Sequence, residues 1–211
     1  MGAYQQPDVV PYIARWTSEV CPPAVVVANG RGIAYTREIP YDRDDDGVLW
    51  KRIAWSPGKG RPVFGQVHFL RQRRAMRRML CQVCGGPADR NEEGALWLVG
   101  QDAGDRKTWG TALTTAHPPV CVPCAVTSVR ACPHLRKRYT ALRVGLVTVA
   151  GVQGELYRPG SLFPRPYDAG GVAFDDWRVR WVLAAQLIVE LRHFTVVDLD
   201  GLGAECAART T

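Results

Sequence analysis

The chain has 211 residues, 46% of them apolar, with seven cysteines and a formal net charge of +7. That length and apolar content support one good core with an embedded module, or two small domains. No apolar run approaches membrane-spanning length, and the first eight residues have neither a basic start nor an apolar stretch, which argues against a membrane span or export. An odd cysteine count without an export signal fits the reducing cytoplasm, where thiolates hold metal rather than pair with one another.

Residues 24–28, Asn29-Gly30 and residues 33–36 read as a hairpin around an Asn-Gly turn, with further strands near residues 48–55 and at Val63. Asp42, Asp44, Asp46 and Gly47 imitate the start of a calcium loop. The twelfth position is Ile53, where a bidentate carboxylate belongs, so a polar turn is expected instead.

Residues 69–80 project as a helix. Phe69, Ala75, Met76, Met79 and Leu80 share one arc, while Arg71, Arg73, Arg74, Arg77 and Arg78 share the opposite one with Val67 and Leu70. Guanidinium forks suit phosphate oxygens, so these five arginines are the candidate nucleic-acid contacts.

Directly after them come the four candidate metal ligands, Cys81 and Cys84 in one Cys-x-x-Cys bracket and Cys121 and Cys124 in another. A two-residue spacer lets both thiolates of a bracket reach one ion at about 2.3 Å, and two brackets complete a tetrahedral zinc set. Such a set has no open position; it is structural, and its binding energy is folding energy. Gly85, Gly86 and Pro87 give the first bracket the turn chemistry of a zinc knuckle. Cys124 to Cys132 contains neither Gly nor Pro and is stopped by Pro133, so a short helix carries the second. Cys132 lies eight residues along that helix, a rise of about 12 Å, which removes it and His134 from the same ion. His117 reads as a structural histidine or a replacement ligand, and Cys21 and Cys206 as small apolar residues.

A knuckle, a hairpin around residues 96–99, then a bracket on the first turn of a helix resembles the treble-clef zinc fingers, and the separation of the pairs is similar to that of the zinc-bearing HNH endonucleases. The resemblance implies a treble-clef fold over about residues 78–135. In that family an Asp-His pair follows the first knuckle, and Asn and His near the second bracket complete a catalytic metal site. Here Trp97 and Leu98 stand where the pair is expected, and Ala125 follows Cys124. The chain resembles the scaffold without its catalytic residues.

Beyond the module, residues 142–149 and 151–157 read as two strands, and residues 158–171, with Pro159, Pro164 and Pro166, as a loop. Asp175 or Asp176 is expected to cap a long apolar helix through about His193, followed by a strand over residues 195–199 and a loose tail from Gly201. The fold class expected is α+β: a strand-rich body with an embedded four-cysteine module and a long C-terminal helix, in parts 1–66, 67–138 and 139–211.

The charge is unevenly spread. Residues 47–88 carry nine Lys or Arg and no acid, and residues 106–154 carry seven and none, whereas the three remaining stretches are acidic on balance. The module and its flanks thus form a basic centre in an acidic protein, the asymmetry expected of a chain that meets a polyanion. Three functions follow: a zinc protein that binds DNA or RNA through its arginine face, an adaptor for an acidic protein, or an enzyme. The last rests only on a scatter of acids and bases, Asp42, Asp44, Asp46, His68, His117, His134 and His193, with no ordering spacing.

Overall fold

A computed structural model describes residues 9–23, 25–100, 112–135 and 138–208. In chain order its elements are β1 (Ala14–Trp16), β2 (Val26–Ala28), β3 (Ile33–Tyr35), β4 (Leu49–Trp50), β5 (Pro62–Val67), α1 (Phe69–Arg78), β6 (Arg90–Asn91), β7 (Gly94–Gly100), β8 (Ala112–Thr115), α2 (Val122–Ala131), β9 (Tyr139–Tyr157), β10 (Pro166–Ala173), a 3-10 segment (Trp177–Trp181), β11 (Val182–Val196) and α3 (Leu199–Ala208). The class is mixed α+β with a strand-rich body. No helix among the described residues is long and apolar enough to cross a membrane.

Two long strands organise the main sheet. β9 and β11 run antiparallel from Val182 opposite Leu156 to Val196 opposite Leu142. Two short strands share the outer edge of each. β7 takes the first half of β9 and β10 the second, both antiparallel. On β11, β8 pairs antiparallel with residues 189–192 and β4 pairs parallel with Leu183 and Ala184. Separate two-stranded ladders join β1 to β5 and β2 to β3, the latter being the expected hairpin.

Between β4 and β8 the edge of β11 would stand open at Leu187, and a side chain closes it. The Gln72 amide accepts from Leu187 N at 3.0 Å through Oε1, and its Nε2 donates to Leu187 O at 2.9 Å and Ala116 O at 2.7 Å. Gln72 is fully buried, so α1 is tied to the sheet by a surrogate peptide group. Gln72→Ala is expected to leave three buried backbone groups unpaired, at a cost of about 3 kcal/mol. Gln72→Glu should recover little, since a carboxylate cannot donate to the two carbonyls; chemical denaturation of both variants checks this.

One side of the sheet holds the main core, with Trp97, Leu142, Leu187 and Leu191 at its centre and Met76 of α1 packed into it. A second cluster, Cys81, Val83, Leu96, Leu98, Val120, Val122, Ala125, Ala141 and Leu199, joins the cysteine region to α2 and α3. A third gathers Ile33, Tyr35, Leu49, Tyr157, Trp181 and Leu183 around the β2–β3 hairpin. There Gly32 is required for close approach, because a Cβ would lie 2.3 Å from the Arg180 carbonyl oxygen.

Five expectations for the C-terminal third are corrected. The long helix to His193 is instead the 3-10 segment followed by β11; Asp176 does cap, accepting from Arg178 N at 2.8 Å. The misreading has a local cause. The core-facing residues of β11 are Val182, Ala184, Leu187, Val189 and Leu191, and a bulge at Ala185 stretches one step of the alternation from two residues to three. An interrupted period of two, in a strand whose first residues are buried on both faces, imitates helical spacing. The two strands expected over residues 142–157 are one strand, β9, of 19 residues. The proline-rich loop contains β10, with Pro166 tolerated as the first residue of the strand. Leu199 begins α3 rather than ending a strand, and the residues from Gly201 to Ala208 are helical.

Candidate metal centre

The four Sγ atoms of Cys81, Cys84, Cys121 and Cys124 all lie within 4.8 Å of one another, the pair Cys84 and Cys121 being 3.9 Å apart. Tetrahedral coordination at about 2.3 Å from each sulfur requires separations of about 3.8 Å, so a small inward movement suffices to seat an ion. This is the single such group of three or more ligating residues among the described residues.

Local structure explains the convergence. α1 ends at Met79 in the left-handed conformation, and the chain turns so that Cys81 N donates to Gly86 O at 2.7 Å and Gly85 N to Cys81 O at 2.9 Å. Gly85 has φ +73°, and a Cβ there would sit 2.8 Å from the Tyr12 ring, so no other residue fits. The second bracket is brought alongside by backbone bonds: Gln82 N donates to Pro119 O at 3.0 Å, and Val120 N to Leu96 O at 2.9 Å. Cys121 is then the N-cap of α2, with Pro123 in its first turn, and its sulfur makes no capping bond. All four sulfurs therefore gather at the N-terminal end of a ten-residue helix, whose dipole favours negative charge.

Burial alone would raise the Cys81 thiol. The amides of Cys84, Cys121 and Val83, the last 3.4 Å from the sulfur, outweigh it and hold the thiol below its ordinary value. Burial and the neighbouring Cys81 charge push Cys121 up to about 11, and Cys124 is raised further still. One deep thiol eased downward by amides beside two raised thiols is a set whose joint ionisation a cation would favour. Cys81 is buried, Cys121 and Cys124 are half-buried, and Cys84 faces solvent.

The other candidate ligands stand apart. His117 is exposed and contributes its carbonyl, which accepts from Trp97 Nε1 at 2.8 Å. Cys132 caps the far end of α2, and it and His134 line an apolar concavity with Phe64 and Val83. Asp42 and Asp44 are engaged rather than free for calcium: Asp42 accepts from Arg52 Nη2 at 2.5 Å and Ile39 N at 2.7 Å, and Asp44 from Val48 N at 3.0 Å and Trp50 Nε1 at 2.9 Å. His68 is buried as the N-cap of α1, and His193 lies exposed on β11.

The arginine helix exists as expected over Phe69–Arg78, but its roof is not uniform. Arg71 is a correction. It is 1% exposed, and its guanidinium donates to Glu19 Oε1 at 2.5 Å, Glu19 Oε2 at 2.7 Å and Ala14 O at 2.6 Å. Glu19, fully buried, also accepts from Trp16 N at 2.9 Å and Ser56 N at 3.1 Å. Against the pull of burial, those donors hold its carboxyl at about 2. Arg71 is therefore a core ion-pair partner and cannot reach a phosphate. Sequence reasoning missed Glu19, which lies 52 residues from Arg71.

The remaining four arginines, Arg73, Arg74, Arg77 and Arg78, line one concavity of about 310 Å³ with Leu70 and without an acid. Arg73 stacks 4.4 Å over the Trp50 ring, and its Nη1 is buried without a hydrogen-bond acceptor. Arg77 reaches Asp44 at 3.2 Å and Asp46 at 3.7 Å, while Arg74 and Arg78 are exposed and form no ion pair among the described residues. Arg130 lines a different groove, between α2 and α3, and Arg136 and Lys137 lie outside the described residues.

The fold and the site thus define a mixed α+β protein whose four clustered cysteines fit a metal ion. Comparison of the chain with protein-family models, with curated proteins and with solved structures finds no match.

Proposed function

We propose that the protein is a zinc-stabilised nucleic-acid-binding protein. Four sulfur ligands and no open position favour zinc in a structural role. The order of knuckle, β6–β7 hairpin and a helix opening on the second bracket supports the treble-clef reading. Ala125, beside Cys124, and the paired Trp97 and Leu98 are all buried apolar residues, which leaves that scaffold a binding rather than a cleaving role.

One observation carries the nucleic-acid reading: the acid-free concavity of Arg73, Arg74, Arg77 and Arg78, in which Arg73 is pinned by Trp50 with an unsatisfied N–H. Burial and the nearby Arg77 charge depress the Arg73 pKa, so a phosphate there would relieve both the missing acceptor and the repulsion. Each phosphate contact releases counterions, giving a log-affinity slope of about −0.9 per contact against log salt on duplex and about −0.7 on single strands. Arg74→Glu with Arg78→Glu, both surface changes, is expected to weaken oligonucleotide binding at least tenfold and to flatten that slope. Fluorescence anisotropy over a salt series reads both; binding indifferent to salt, or to this double charge reversal, rejects the reading.

A further inference from the structure

A second feature is a group of exposed aromatic residues on and beside the 3-10 segment. Trp177 is 62% exposed and Tyr167 45%; Tyr41 and Trp55 are exposed elsewhere, whereas Trp50, Trp97 and Trp181 are buried. The Arg158 guanidinium stacks 4.4 Å over the Tyr167 ring. The 3-10 segment that presents Trp177 packs on β9 and β10, and its Arg178 lies within electrostatic reach of Tyr167. The rings are held firmly: Asp176 accepts from both the backbone N and the guanidinium of Arg178, at 2.8 Å and 2.6 Å, which fixes the turn under Trp177.

We infer that Tyr167 and Trp177, with Arg158, form a stacking platform for unpaired nucleobases, so that the partner is single-stranded DNA or RNA. This deepens the nucleic-acid reading above and rests on it. Every base offers a π-face, and exposed rings interleaved with arginines take such faces irrespective of sequence. The Arg158 guanidinium over Tyr167 adds a cationic group that suits phosphate beside the ring. Bases in a duplex are already stacked and cannot use it.

One hollow connects the segment that carries Trp177 to the neighbourhood of the arginine concavity. Asp46 lies 3.7 Å from Arg77 on one side, and on the other it borders a hollow of about 490 Å³ that also contains Arg31 and Arg180. Arg180 belongs to the same 3-10 segment as Trp177. Glu38 and Asp46 line the same hollow, and Arg43 is committed to Glu38, Gly47 O and Ile33 O, so Arg31 and Arg180 are its remaining cations.

The test compares a 20-mer of deoxythymidine, a 20-mer of uridine and a 20-base-pair duplex by anisotropy on the full, metal-loaded chain. Single strands are expected to bind at least tenfold more tightly than duplex. Trp177→Ala with Tyr167→Ala should weaken single-strand binding tenfold or more and leave duplex binding within twofold, with circular dichroism and metal content unchanged. Duplex bound as tightly as single strands, or single-strand affinity that survives the double substitution, overturns the inference. If Arg74→Glu with Arg78→Glu abolishes binding while the aromatic substitutions do nothing, the platform fails and the basic reading stands. If none of the three oligonucleotides binds at low salt, both fail.

Discussion

Cys81→Ser is expected to lose the metal and with it the order of the segment from Met79 to Leu135. Cys81 is the ligand wrapped by three amides, and its buried sulfur anchors the cluster that joins the knuckle, Val120 and α2. Structural zinc in small fingers contributes apparent binding energies of about 10–16 kcal/mol. In a chain of this length a loss of even about 5 kcal/mol lowers the melting temperature by about 10–20 °C. Elemental analysis should find about one zinc per wild-type chain and none in Cys81→Ser, while Cys132→Ser and Cys206→Ser keep theirs. Full metal content in Cys81→Ser would contradict the four-thiolate assignment.

The second large effect lies in the Glu19–Arg71 pair. Removing one partner strands a charge in the core, so Glu19→Ala or Arg71→Ala is expected to cost about 3–5 kcal/mol. Glu19→Leu with Arg71→Met should cost much less than the two single changes together, because no orphan charge remains. The pair also sets the acid sensitivity. Glu19 titrates at about 2 in the folded protein against 4.5 ordinarily, and burial holds His68, 3.6 Å from Glu19, below its ordinary 6.5. In both cases the folded form binds fewer protons than the unfolded one, so stability is complete above the ordinary values. It declines first as pH falls below 6.5, through His68, and then more steeply between 4.5 and 2, through Glu19. Urea midpoints measured from pH 8 to pH 3 should trace this decline. Glu19→Gln should flatten its lower part; a midpoint constant down to pH 3 is the contrary result.

What the sequence disclosed about this molecule was whatever is written at short range. The brackets are legible because ligand spacing within each is local chemistry, and the glycines after Cys84 announce the turn that aims the amides. α1 is legible for the same reason. Its outward face was misassigned at Arg71 because a helical projection separates apolar from charged residues but cannot see that β1 and Glu19 cover the first turn. β11 was unreadable as a strand because its bulge breaks the alternation on which the reading depends. Gln72 carried no signal at all: its partner Leu187 is 115 residues away, and a polar residue among arginines looks like surface.

That separation bears on how the chain is made. Leu49 and Trp50 of β4 pair with Leu183 and Ala184, and Gln72 waits for Leu187, so the sheet's early pieces dock on a strand that the ribosome delivers more than a hundred residues later. At about 5–20 residues per second this leaves β4 with an unmet edge for several seconds of synthesis. The cysteine-bearing turn after α1 and the helix α2 emerge well within that interval, and a metal held by the four cysteines would shorten the distance over which the remaining contacts must be found.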